Sequence, residues 1–119
     1  MLLSQKHCVP CREGTPSLDD ATIRLLLGDV AGWSVDATPG QPPRITKRYE
    51  FADFLAAMAF VDKMAALAES EGHHPDFCVH YSRVDVSLST HAARGLTEND
   101  FILASKLDAA LPGATGSRA

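Results

Sequence analysis

Of the five histidines in the chain, three fall where a ligand could meet them. His73 and His74 are adjacent, between the end of a predicted helix and a predicted strand, and His91 closes the last predicted strand. Loop positions at element ends are the ones a rigid scaffold presents to ligands. Pro75 fixes its own φ and drives His74 toward extended geometry, so the two rings are held rather than left to wander. Imidazole ordinarily titrates near neutrality, and close neighbours penalise a second positive charge, so a cluster can keep one protonated and one neutral ring together. Such a cluster offers an acid beside a base. Glu69 stands four residues before His73, about one helical turn, and can orient an imidazole or accept from a ligand N–H. The plainer readings are an exposed helix-end carboxylate, histidines capping a helix C-terminus, and a structural role for His91.

Three histidines with a carboxylate could instead bind zinc or iron with an open water position. Neighbours on an extended segment point to opposite sides, so His73 and His74 are poorly placed to share one ion, and no metal is expected. Cys8-Val9-Pro10-Cys11 has the spacing of half a zinc knuckle or of a redox pair, but no second CxxC completes a set of four thiolates. The alternative is a pair of thiols with no essential task. Cys8, Cys11 and Cys78 cannot all pair, and a chain of this apolar content needs no disulfide staples, which points to a reducing cytoplasm.

The elements that must position these residues come from one domain. A length of 119 residues with 45% hydrophobic and 22% charged residues suffices to bury a single core. A net charge of −4 without any basic block argues against direct nucleic-acid binding. No apolar run is long enough to span a membrane, and the first residues turn polar too soon for a secretory segment.

Residues 1–16 mix Pro, Gly and charge without periodicity, which predicts a flexible leader carrying the CxxC. Ser17 as N-cap and the spacing of Ile23, Leu26, Leu27 and Val30 predict a helix over 18–29. An extended segment opens at Trp33, a Pro- and Gly-rich turn fills 38–43, and alternation predicts a strand over 44–51, with Lys47 out of parity. Residues 52–71 carry two apolar stripes at helical spacing, Phe54, Met58, Val61, Ala65 and Ala68 beside Ala57, Phe60, Met64 and Leu67. That is more apolar surface than one side can bury, so a second subunit or a deep groove must cover part of it. Two strands follow, at Phe77–Tyr81 and Val84–Leu88, with a turn at Tyr81-Ser82-Arg83, and Thr97-Glu98-Asn99-Asp100 caps a last helix that ends before Pro112. The order α-β-β-α-β-β-α implies an α+β domain over 17–112, a four-stranded antiparallel sheet with three helices packed on one face, followed by a disordered tail at 113–119.

Glu69-Ser70-Glu71-Gly72-His73-His74-Pro75, then Tyr81, Val84 to Leu88, Ser89-Thr90-His91, Gly95-Leu96-Thr97 and Asp100 together resemble the signature of the pterin-4a-carbinolamine dehydratases. Gly32-Trp33, Tyr49-Glu50-Phe51 and Phe101-Ile102-Leu103-Ala104 extend the resemblance across about 17–110, and the Cys8-x-x-Cys11 leader is similar to that of bacterial members. The resemblance implies an enzyme that dehydrates 4a-hydroxytetrahydropterin to quinonoid dihydropterin without metal or organic cofactor, recycling the cofactor of aromatic amino-acid hydroxylases. It implies His73 and His91 as the acid–base pair, His74 holding the pterin, and Glu69 at the pterin ring or the proton path. It places Trp33 at the pocket border, although a core role at a strand start reads equally well, and sets Pro75, Ser89 and Thr90 at the pterin edge. Members are dimers or tetramers, so a homo-oligomer is implied. The same scaffold resembles a dimerisation cofactor for a transcription factor and a Rubisco assembly factor of carboxysomes, so a non-catalytic role with a protein client is the alternative. Gly72 and Asn99 stand where some animal members have Asp and Arg, and Val79 where Asn is common.

Overall fold

The computed structural model describes residues 2–110, so the predicted tail at 113–119 lies outside the described residues. Helix α1 spans Asp20–Leu27, strand β1 Ser34–Asp36, β2 Arg44–Glu50, helix α2 Phe54–Glu71, β3 Asp76–His80, β4 Arg83–Leu88, and helix α3 Glu98–Ala110. The strands form one antiparallel sheet in the order β1-β2-β4-β3, the α+β architecture expected from the pattern. Pairing of Ile45 with Leu88 and Tyr49 with Val84 puts the apolar residues of the two central strands on the same face. There they meet Ala57, Phe60 and Met64 of α2 and Phe101, Leu103 and Leu107 of α3 in a single core. Each large side chain withdrawn from water in this way contributes about 1.5–3 kcal/mol. The Tyr49 and Phe60 rings lie 4.5 Å apart, and Phe60 also meets Phe51 at 5.3 Å, which ties α2 to β2.

Lys47, the residue out of parity in β2, is resolved by its partner. It points inward with Ile45 and Tyr49, and its ammonium donates to Oδ1 of Asp108 at 3.0 Å and to the Ala31 carbonyl at 3.3 Å. The Tyr49 hydroxyl donates to the same Oδ1 at 2.5 Å, and Trp33 Nε1 donates to Oδ2 at 3.2 Å. One carboxylate on α3 thus satisfies three inward-facing donors of the sheet layer. Burial, together with that carboxylate, holds the Tyr49 phenol well above its ordinary range.

Local boundaries differ from expectation in two places. Helix α1 begins at Asp20 because Asp19, not Ser17, accepts from the Thr22 N–H at 2.8 Å. Strand β3 is an edge strand: its Phe77 and the Tyr81 just past it stay largely open, and of the three alternating apolar residues only Val79 packs against the core. Of the two stripes on α2, Ala57, Phe60 and Met64 face the sheet along with Ala68, whereas Phe54 and Leu55 are exposed.

The leader differs from the arm that its composition predicts. Leu3 is buried against the core, Lys106 donates to the Ser4 carbonyl at 2.9 Å, and Lys6 pairs with Glu98 at 2.7 Å. Glu71, whose side chain is only 6% exposed, accepts the Cys8 N–H at 2.7 Å and pairs with His7 at 2.9 Å. A segment without periodicity still packs when each polar group finds a partner.

Two predictions follow from these carboxylates. Asp108→Ala leaves the buried Lys47 ammonium, the Tyr49 hydroxyl and the Trp33 N–H without their acceptor, and should destabilise the fold by about 3–5 kcal/mol in urea denaturation. Burial would raise the pKa of Glu71, but the Cys8 N–H, His7 and Lys106 outweigh it and hold the pKa below the ordinary 4.5. The stability this supplies is complete above that ordinary value and disappears as pH falls through the lower folded value. Wild type should therefore melt above Glu71→Gln near neutral pH, and the two should converge as the pH falls through the lowered Glu71 value; a gap that persists in acid would locate the stabilisation elsewhere.

Candidate active site

Helix α2 ends at Gly72, whose φ of 66° is left-handed and whose N–H reaches back to the Ala68 and Glu69 carbonyls. That conformation favours glycine, and it turns the chain so that His73 and His74 leave from the helix terminus. On the other side, β4 ends at Leu88 and the chain makes a tight loop closed by Thr90 N–H to the Gly95 carbonyl at 2.8 Å. His91 starts the single 3₁₀ turn at the tip of this loop, and Arg94 completes the reversal at φ 53°. Gly95 sits in a tight spot: a Cβ there would stand 3.0 Å from the Ser17 Cβ, closer than an ordinary contact.

The two loops converge. His73, His74 and His91 line one cavity of about 290 Å³, with Gly72, Ser89 and Thr90 in its walls. A neighbouring hollow of about 390 Å³ shares His74, Ser89 and His91 and extends to Arg44 and Asp76. The cleft is therefore wider than the histidine trio and reaches the first residue of β2.

The rings are held differently. His73 is 11% exposed, and its Nε2 meets Oδ1 of the fully buried Asp100 at 2.6 Å. The other oxygen of Asp100 accepts from Thr90 Oγ1 at 2.8 Å and from the Thr97 N–H at 3.0 Å. A carboxylate so loaded with donors is an acceptor for His73, which fixes the ring proton on Nε2 and leaves Nδ1 for a ligand. His74 Nε2 meets Glu69 Oε1 at 2.6 Å, but these side chains are 60% and 78% exposed. An ion pair so open to water contributes little to stability. His91 is exposed at the cavity wall.

Among the other residues singled out from sequence, Ser89 lines both hollows, and its hydroxyl donates to the Pro43 and Gly95 carbonyls, bracing the loop. Thr90 lines the cavity, but its hydroxyl is engaged with Asp100 and accepts from Thr97 Oγ1 at 2.7 Å, so it serves the scaffold rather than a ligand. Pro75 is half-buried and does not line the histidine cavity. Trp33 is not brought to the cavity: it is buried in the core beside Tyr49, with its N–H on Asp108, so its core role is the one the fold uses. Among the described residues, no three His, Cys, Asp or Glu side chains gather as a metal-ligand set.

Sequence reasoning singled out Asp100 as a helix cap, and it is one, since it accepts the N–H of the N-cap Thr97. That its second oxygen holds His73 carried no sequence signal. Asn99, Cys11 and Val9, which also line the cavity, went unrecognised as part of it for the same reason.

A family model described as pterin 4 alpha carbinolamine dehydratase matches residues 16–110. A Halorhodospira halophila protein provisionally named a pterin-4-alpha-carbinolamine dehydratase is 40% identical over 109 residues, 92% of this chain and 97% of its own. A Xanthomonas campestris protein with the same provisional name is 45% identical over 105 residues, covering 88% and 86%. Among solved structures, a Brucella melitensis protein described as a transcriptional coactivator/pterin dehydratase matches with a TM-score of 0.70 at 35% identity, over 78% of this chain and 96% of its own. A pterin dehydratase-like protein described as a RuBisCO assembly factor in the alpha-carboxysome matches at 0.55 and 29% identity, over 66% of this chain and 87% of its own.

Because Asp100 holds three donors with no access to water, Asp100→Asn must turn an amide N–H toward at least one of them. Loss of about 2–4 kcal/mol in chemical denaturation is expected, from unpaired buried groups. The carbon-bound ring protons of His73 in the NMR spectrum should shift while those of His80, on the exposed edge strand, stay in place.

Proposed function

The chain belongs to the pterin-4a-carbinolamine dehydratase family, and on that premise we propose that it removes water from 4a-hydroxytetrahydropterin to give quinonoid dihydropterin. The observation that carries this reading is the convergence of His73, His74 and His91 on one cavity, from two loops remote in sequence. In the reaction the bond from C4a to the hydroxyl oxygen breaks, the departing hydroxyl takes up a proton and leaves as water, and a ring N–H loses its proton. Two imidazoles supply what this requires, one protonated and one neutral.

His73 is the positioned partner: with its Nε2–H tied to Asp100, it gives or takes a proton at Nδ1. His91 is its counterpart across the cavity, and His74, steadied by Glu69, binds the pterin. Asp100 acts through His73 and is a positioning residue. The chemistry is then carried by side chains, with neither metal nor organic cofactor in the proton transfers. Exposed Phe54 and Leu55 on α2, together with the open edge of β3, support a homo-oligomer. No helix among the described residues is long and apolar enough to cross a membrane. We place this reaction in the cytoplasm. The assembly-factor reading gains no support from the site, since a client-binding scaffold has no use for an imidazole backed by a buried carboxylate.

His73→Ala or His91→Ala should lower the dehydration rate by about 10²–10⁴ with the fold intact by circular dichroism. Rates equal to wild type in both variants would leave the scaffold without its chemistry.

A further inference from the structure

The histidine cavity has a wall that the family match does not contain. The match begins at residue 16, yet Val9 and Cys11 line the cavity beside His73 and His91. Within this wall one side chain holds the backbone of Val9. Asn99, on the first turn of α3 and 4% exposed, accepts the Val9 N–H at 3.0 Å and donates to the Val9 carbonyl at 2.7 Å. It thereby satisfies both backbone groups of one residue, as a neighbouring strand would. The same amide lies 3.3 Å from Cys11 Sγ, and one residue upstream of Val9 the Cys8 N–H is held by Glu71. Positions 8, 9 and 11 are thus fixed in succession, which sets the direction of the Cys11 side chain. A buried amide so fully engaged is costly to leave unpaired, so the wall is a stable part of the cavity.

We propose that residues 8–11 form a ligand-facing wall of the histidine cavity, held by Asn99, and that Cys11 on this wall is a specificity-determining residue for the pterin. The inference rests on the dehydratase reading and deepens it. Proton transfer is assigned to the imidazoles, whereas Val9 and Cys11 add contact surface to the same cavity, so the wall's effect falls on which pterin fits rather than on the bond that breaks. Val9 offers an apolar surface and Cys11 a polarizable one, both suited to contact with a flat heteroaromatic ring or its substituent.

The three thiols can be told apart by alkylation. Cys8 is half-buried, and burial, with Glu71 and Asp100 nearby, pushes its pKa up to about 12, so it reacts slowly. Cys78 is exposed on β3 and lines a different hollow, on the far face of the sheet, so it serves as internal reference. Binding of 7,8-dihydrobiopterin is first measured by calorimetry, and iodoacetamide labelling is then followed peptide by peptide in the mass spectrometer. At pterin ten times its Kd, labelling of Cys11 should slow roughly tenfold, since only the unoccupied fraction reacts, while Cys78 is unchanged. In the ligand-free protein, Asn99→Ala should speed labelling of Cys11 relative to Cys78, and it should raise KM more than it lowers kcat. Pterin that binds without protecting Cys11 overturns the wall and leaves the dehydratase reading intact. Absence of pterin binding overturns both. Protection that survives with Cys11 labelling unchanged in Asn99→Ala overturns the role of Asn99 as the anchor.

Discussion

A carboxylate with no access to water must receive hydrogen bonds from its own protein, and Asp100 takes three, from three separate segments. One comes from the second residue past the end of α2, one from the second residue past β4, and one from the N-cap of α3. The requirement is strict because an uncompensated buried charge costs several kcal/mol. It is met only when the end of a helix, the end of a strand and the start of another helix come together. The site therefore depends on the same contacts that close the fold. His73 is aimed, the loop bearing His91 is tethered through Thr90, and α3 is started, all at one pair of oxygens.

The opposite end of α3 repeats the device. Asp108 accepts from Lys47, Tyr49 and Trp33, which otherwise would place three polar groups in the apolar layer without partners. Between these two carboxylates run Phe101, Leu103, Ala104 and Leu107, all fully buried. Apolar packing supplies the bulk of the stability in such a layer, and the two carboxylates fix its register against the sheet. A helix pinned at both ends cannot slide, so the distance from Asp100 to the histidine loops is set by the core. That rigidity is what acid–base work by paired imidazoles needs, since a proton moves only between atoms already in reach.

Around this rigid frame the cavity is completed by segments outside the helices and strands. The leader arrives over the end of α2 and the start of α3, held by Glu71 and Asn99, and the turn before β2 brings Gln41 and Pro42 to the adjoining hollow. Neither belongs to a regular element. Each adds cavity-lining groups without disturbing the carboxylate that orients His73.

The sequence alone determined the α+β class, the order of elements and the parity of the two central strands, because alternation and helical spacing are local properties read directly from neighbours. It also singled out His73, His74 and His91, since adjacent histidines ahead of a proline at an element end are unusual in type and place. Where periodicity was silent, it failed for an identifiable reason. Lys47 looked out of parity because its partner lies 61 positions away, and the leader looked unstructured because its order comes from Asn99 and Glu71 rather than from itself. Trp33 could have served core or pocket until packing beside Tyr49 placed it in the core. Which oxygen orients which ring, and that three histidines share one cavity, are distances between residues far apart in the chain. Only the closing of the sheet under α2 and α3 decides those, because hydrogen bonds and packing select the pairs that spacing can merely permit.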